Sequence, residues 1–555
     1  MDKGSEKLIK AKVNPKDPTT VPKFVTPLAK PRVARPKPNP NYPANSYIEI
    51  TMREAMHRFH RDFPMTKIWG YDGLYPGPTI EARKDKKLYV KYLNKLPKKH
   101  FLPVDRTLHG VGDSPEVRSV VHVHGANVFW ESDGHPEAWY TQNYEFTGPK
   151  FRRKVHEYTN HQPAATLWYH DHTMAMTRLN VYAGLTGFYL IRDALEERLN
   201  LPKGEYEYPL LLQEKSFNED GSLFYPDRPP EDAGFPIPAP FIPTIVPFFN
   251  GDMMVVNGKV WPNLNVEPRK YRFRILNGSN GSTYRIQLDN GAPFHLIGTD
   301  GGFLDAPVEV TSIELMPAER VDVIVDFSSF KGEKIRLINA LLEEDDLKRD
   351  IMQFNVNRLL KGKDTSEIPT KLAEAMDLHE HHAHIIRKLP LSIGEDQYGR
   401  IMMMLDNKMY HDPCSEKPSL DSIEIWEFIN ATPIPHPMHI HLVQFKILDR
   451  TPFNLELYQE SNGEILELTG DPEPPFDYER GWKDTVQAPS GMVTRVIMHW
   501  KDHVGYYMWH CHLLEHEDHD MMRPITIIED AHPVQTPHAN EENNNEEEAP
   551  PSPDI

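Results

Sequence analysis

Tyr271-Arg272-Phe273-Arg274-Ile275-Leu276-Asn277 is a strand-like run closed by an asparagine, and the chain contains its pattern three times. The other copies are Leu88-Tyr89-Val90-Lys91-Tyr92-Leu93-Asn94 and Glu424-Ile425-Trp426-Glu427-Phe428-Ile429-Asn430. A turn-and-strand lead-in, Trp261-Pro262-Asn263-Leu264, precedes the central copy, and Gly77-Pro78-Thr79-Ile80 precedes the first. Copies at domain-sized intervals point to three related β domains rather than a short-period solenoid. The chain has 555 residues, 51 of them proline, and its short β-type runs lie between Pro and Gly turns. That favours sandwiches or barrels over helical bundles. The expected fold is all-β, with three Greek-key β-sandwich or barrel domains and short helices in the linkers.

The three copies lead into different segments. After the first come Val121-His122-Val123-His124-Gly125 and Trp168-Tyr169-His170-Asp171-His172. After the third come His436-Pro437-Met438-His439-Ile440-His441 and His510-Cys511-His512-Leu513-Leu514-Glu515-His516, then Met521. After the second comes Phe294-His295-Leu296-Ile297-Gly298, without a His-x-His pair, so the middle domain is expected to carry no metal. On a strand, alternate side chains share a face, and each pair spans about 6.6 Å, a separation suited to ligands of neighbouring ions. Eight paired imidazoles can serve three ions. Cys511 faces away from His510 and His512, so one strand can hold parts of two metal centres back to back.

Ligand softness selects the metal. A thiolate, imidazoles and a weak axial thioether suit a blue-copper electron-transfer site, and His436, Cys511, His516 and Met521 provide that set. Zinc hydrolases have no use for a cysteine between two cluster ligands. A His-x-His-x-Asp-His pattern is absent. Because the paired histidines divide between the first and third domains, their cluster should lie at the interface and tie the ends of the fold together. Asp171 occupies the place that Cys511 has in the third domain, so the first domain cannot build a blue site of its own. Met522 and Met402, Met403 and Met404 read as core packing. The tract His379, His381, His382, His384 reads as a solvated linker face.

These segments resemble the multicopper oxidases, and within that family the laccases of bacterial spore coats and the bilirubin oxidases. The likeness covers most of the chain and includes LYPGPTIEA (74–82), SDGHPEAW (132–139), WYHDHTMAMTRLNVYAGL (168–185), VNGKVWP (256–262), VEPRKYRFRILN (266–277) and WHCHLLEHEDHDMMRP (509–524). The resemblance implies three cupredoxin-like domains and four copper ions: one type 1, one type 2 and two type 3. It implies His436, Cys511, His516 and axial Met521 for type 1, and His122 and His439 for type 2. His124, His170 and His512 would hold one type-3 ion, and His172, His441 and His510 the other. Glu517 is implied as a proton donor, and Asp133 as an orienter of solvent and the type-2 ion. The spore-coat relative's disulfide has no counterpart at Phe249-Asn250-Gly251 or Asn339-Ala340-Leu341-Leu342, and the loop Glu343-Glu344-Asp345-Asp346 is acidic. This changes the expected donor pocket. Cys414 has no family counterpart and reads as a spectator thiol.

The expected division is a basic Pro-rich extension (1–44), a first domain (45–198), a copper-free second domain (199–362), a linker with a helix (363–388), a third domain (389–531) and an acidic tail (532–555). Residues 1–40 carry ten Lys/Arg against three Asp/Glu, and residues 540–555 carry six acids and no base. Both ends read as disordered. The net charge of −19 argues against nucleic-acid partners. No apolar run is long enough to span a membrane. No signal peptide is evident, so synthesis in the cytoplasm and deposition among spore-coat proteins are expected, with the protein a monomer. The expected activity is one-electron oxidation of small phenolic or aromatic reductants coupled to four-electron reduction of O2 to water. Bilirubin or cuprous-ion oxidation are the alternatives, and a structural coat or copper-storage protein is the alternative outside enzymes.

Overall fold

The computed structural model describes residues 15–230 and 242–529. The chain is all-β, with six principal sheets arranged as three cupredoxin-like sandwich domains. The first pairs two four-stranded sheets, the second an eight- and a five-stranded sheet, and the third a five- and a four-stranded sheet. Each copy of the repeat is an inner strand: Leu88–Lys95, Lys270–Asn277 and Ile423–Asn430. Each runs parallel to an earlier strand of its own domain, with Ile50 opposite Tyr92, Leu210 opposite Ile275 and Leu389 opposite Phe428. The asparagine that closes each copy is buried and ends the strand in the same way. Its side-chain oxygen accepts from the N–H two residues on: Leu96 at 3.0 Å, Ser279 at 3.1 Å and Thr432 at 2.9 Å. These are local side-chain turns that stop the ladder.

Period-two alternation also explains the arginines of the central copy. Tyr271, Phe273 and Ile275 enter the apolar core shared by the first two domains. Arg272 and Arg274 point the other way and are equally buried, against Glu196, Glu207 and Asp322. Burial alone would raise Glu196, but the guanidiniums of Arg274, Arg272 and Arg192 outweigh it and hold the carboxyl down at about 2, from an ordinary 4.5. A depressed pKa contributes stability that is present above the ordinary value and lost as pH falls through the native one. Glu196→Ala should therefore cost about 3–5 kcal/mol at neutral pH, because it leaves buried guanidinium charge uncompensated. Thermal melting of wild type and variant should show the gap narrowing between pH 4.5 and about 2. A gap independent of pH over that window would refute the ionic account.

The third domain has its own core, where Trp426 packs against Trp500 and Trp509 with ring centres 5.5 and 5.4 Å apart. Helices are short, the longest among the described residues being Thr177–Ala183, and no helix is long and apolar enough to cross a membrane.

Two segments differ from the sequence reading. From Pro15 onward the basic extension is ordered. It straps the second domain, with Phe24 N–H donating to Trp261 O at 2.8 Å and Leu28 N–H to Asn263 O at 2.7 Å. It then reaches the first domain, with Ala34 N–H donating to Thr79 O at 2.8 Å. A segment too polar to fold alone is held by backbone bonds to domains it crosses. The linker forms no α-helix, only a single 3-10 turn at Glu380–His382. It is drawn out across the surface, where Glu367 and Leu372 donate their N–H groups to Asn200 O and Asp305 O instead of to a helix of their own. The acidic tail lies outside the described residues.

Candidate metal centres

The strand Gly505–Cys511 pairs with His436–Ile440, placing Met438 opposite Cys511 and His439 opposite His510. The short helix Leu514–Glu517 comes at once after it and turns His516 back over the sulfur. His436 Nδ1 lies 3.4 Å and His516 Nδ1 4.0 Å from Cys511 Sγ, all three residues being buried. His436 Nε2 sits 2.8 Å from the Thr432 hydroxyl. A proton on Nε2 leaves the Nδ1 lone pair for a metal. Desolvation pushes the Cys511 thiol far above its ordinary range and His516 down to about 3. Without a cation this thiol keeps its proton, and a coordinated metal would remove it. Met521 shares the apolar cluster of Cys511, and its carbonyl accepts from Cys511 N–H at 3.1 Å. Met522 belongs to the other core.

On the opposite face of the same strand, eight buried imidazoles converge from two domains. The ring nitrogens of His124, His170 and His512 form one group, those of His172, His441 and His510 a second, and those of His122, His124 and His439 a third. In the second group, His172 Nε2 and His441 Nε2 each lie 3.2 Å from His510 Nε2. The outer nitrogens are anchored. His122, His170, His439 and His510 donate from Nδ1 to the carbonyls of Asp133, Asp171, Asp484 and Cys511 at 2.5, 2.8, 2.7 and 3.1 Å. The inward atoms His122 Nε2, His124 Nδ1, His170 Nε2, His439 Nε2 and His512 Nε2 have no hydrogen-bond partner among the described residues. Burial lowers His124, His170, His439, His441 and His512 far below the ordinary imidazole range, and His172 and His510 to about 3. These are neutral rings with converging lone pairs, buried and without partners, which is the ligand form that a cation satisfies. The donor set fits copper.

Two carboxylates flank the cluster. Asp133 closes the helix Trp130–Asp133; its Oδ2 lies 2.7 Å from His441 Nδ1, while its carbonyl holds His122. The turn behind it requires Gly134 (φ +86), since a Cβ there would stand 2.3 Å from Val121 O. Glu517 is buried with Oε2 3.2 Å from His510 Nδ1 and Oε1 3.7 Å from His172 Nδ1, and burial raises its pKa.

Three further residues have no signature in the sequence. Asp484 Oδ1 lies 3.0 Å from His124 Nε2, and its carbonyl accepts from His439, so one residue orients two imidazoles of the cluster. Arg320, from the middle domain, grips both Asp484 oxygens at 2.6 and 2.7 Å, and Asp300 accepts Arg320 N–H at 2.7 Å. Gly125 (φ +87) keeps the approach open, as a Cβ there would be 2.4 Å from Asp484 Oδ2. His516 is the most exposed of the three residues around the sulfur, edge-on to the half-exposed ring of Phe248 at 5.1 Å. The tract at 379–384 is largely exposed, and both cysteines are free thiols.

Models described as multicopper oxidase match residues 55–114 and 111–196, 234–336 and 390–531. The chain is 52% identical to a laccase of Bacillus stratosphericus over 516 residues, covering 91% of this chain and 99% of that one. It is 49% identical to a laccase of Bacillus subtilis (strain 168) over 517 residues, covering 92% and 99%. Among solved structures it is similar to a laccase of Pediococcus acidilactici (TM-score 0.70, 28% identity, 92% and 95% of the two chains). It is also similar to the McoA multicopper oxidase of Aquifex aeolicus (TM-score 0.68, 26% identity, 90% and 100%).

Proposed function

The chain belongs to the multicopper oxidases, and from that premise we propose which of its residues hold the metal and which move electrons and protons. It is a laccase-type copper oxidoreductase. Its four copper ions, when bound, supply one-electron oxidation of an aromatic donor at the thiolate centre and four-electron reduction of O2 to water at the histidine cluster. We assign His436, Cys511 and His516, with Met521 axial, to the type-1 ion, and His122 and His439 to the type-2 ion. His124, His170 and His512 form one type-3 site, and His172, His441 and His510 the other.

One observation carries this reading. The sulfur of Cys511 sits between His436 and His516, while its two chain neighbours belong to two different nitrogen groups. A few covalent bonds therefore join the donor side to the oxygen side, an electron path for which storage has no use. His516 receives the donor beneath Phe248. Glu517, buried beside His510 and His172, is placed to pass a proton to where oxygen reduction consumes it. Asp133 fixes the orientation of His441 and His122.

All eight paired histidines come from one chain, which supports a monomer as the functional unit. Deposition in a spore coat is supported by the likeness to spore-coat laccases and by the oppositely charged ends. Absence of the protein from purified spore coats would speak against deposition.

The test of the activity is oxygen uptake by the copper-loaded chain with phenols, bilirubin and Cu(I) as donors. Phenols should drive it, with four substrate electrons per O2. If all three donors leave O2 untouched, the oxidase reading is lost; if only bilirubin or Cu(I) works, the donor class changes.

A further inference from the structure

Apart from the residues assigned above, one cavity of about 420 Å³ collects imidazoles and carboxylates where the first and third domains meet. His109 comes from the first domain, His411 and Met409 from the third, and Asp520 from the loop that ends at Met521. His109 Nδ1 lies 3.0 Å from Asp520 Oδ1, and His411 Nε2 lies 3.4 Å from Glu137 Oε1. The two remaining nitrogens, His109 Nε2 and His411 Nδ1, are in contact, with ring centres 4.0 Å apart.

A carboxylate beside each outer nitrogen draws the proton to that side of the ring, as carboxylates do behind metal-bound histidines. The two inner nitrogens are then both lone pairs, and they face each other. Such a pair is relieved either by a proton shared between the rings or by a cation between them. A second atom points to the cation: Asp520 is 4% exposed, lines the cavity, and its Oδ2 has no partner among the described residues. His411 is more than half exposed and free to withdraw to a coordinating separation.

We propose that His109 and His411 form a binding site for a monovalent, soft d10 cation of the cuprous class, separate from the four ions of the oxidase. Two opposed imidazoles suit the two-coordinate geometry of such an ion, and the thioether of Met409 on the cavity wall adds a soft donor. Structural zinc would require four closed ligands, and calcium or magnesium a shell of oxygens. The bound ion bridges the loop carrying His109 to the segment carrying His411, and through Asp520 it braces the end of the type-1 loop. The site does not depend on the oxidase reading.

The probe is Ag(I), a redox-inert d10 ion, added to copper-loaded protein carrying Cys414→Ser so that the free thiol cannot capture it. Equilibrium dialysis with metal analysis should find one silver ion per chain above the copper. His411→Ala, and separately His109→Ala, should weaken that binding at least about tenfold, the scale on which lost metal-site contacts act. The blue absorption and phenol-driven oxygen uptake should stay unchanged in His411→Ala. Silver binding equal in parent and variants places the ion elsewhere and overturns the site. No silver bound by the parent means that the imidazoles share only a proton, which also overturns it. Loss of phenol oxidation in the parent itself would count against the oxidase reading, not against this site.

Discussion

Cys511→Ser should abolish turnover with every donor while leaving the histidine cluster loaded, so that metal analysis finds about three copper ions per chain rather than about four. The serine oxygen is nearly isosteric with the thiol, so the fully buried strand should fold as before. What disappears is the soft anionic ligand between His436 and His516, and with it the blue thiolate-to-copper absorption. The eight imidazoles lie on the other face of the sheet and keep their converging nitrogens. The variant therefore separates electron entry from oxygen-side metal binding. Retained blue colour would refute the ligand assignment. Loss of all copper would show that the two centres load as one unit.

Asp484→Ala should have the second-largest effect, although residue 484 is not assigned as a ligand. Its carboxylate and carbonyl orient His124 and His439. Removing an outer-shell partner of a ligating histidine typically costs 10–100-fold in metal affinity or activity. Only the carboxylate is lost in the variant, so the His124 side should suffer more. Arg320 is left fully buried without its bidentate partner, at a cost of about 3–5 kcal/mol. Asp484→Asn separates the two effects. It keeps the shape and a hydrogen-bonding oxygen while removing the charge, so stability should fall as for alanine but cluster copper should be retained better. Dialysis against a graded chelator, with copper counted at each step, reads the affinity. Equal retention of copper in alanine variant and wild type would show that Asp484 orients neither ring.

How much the sequence disclosed depends on the range of each signal. The convergence of the His-x-His pairs was legible because a strand repeats every two residues, so side chains for one face are written as near neighbours. The closing asparagines were legible as a repeat for a similar reason, since each bonds the backbone two residues on. Arg320 and Asp484 were not, because their pairing depends on how the middle domain docks on the third, and neither lies in a spaced motif. The strap was misread because composition describes what a segment can do alone, whereas residues 15–34 owe their order to carbonyls of other domains. The linker was misread because Leu372-Ala373-Glu374-Ala375-Met376 has good helix formers, yet tertiary partners took the flanking backbone bonds.

The strap also imposes a timetable on synthesis. Phe24 and Leu28 are made more than two hundred residues before Trp261 and Asn263, whose carbonyls receive them. At about 5–20 residues per second, roughly 10–50 s pass before docking is possible. During that interval the basic amino-terminal stretch hangs free of its seat, open to proteases and chaperones, and the first two domains are not yet laced together. A nascent chain halted before residue 261 should be cut within this stretch, and one halted well beyond residue 263 should not.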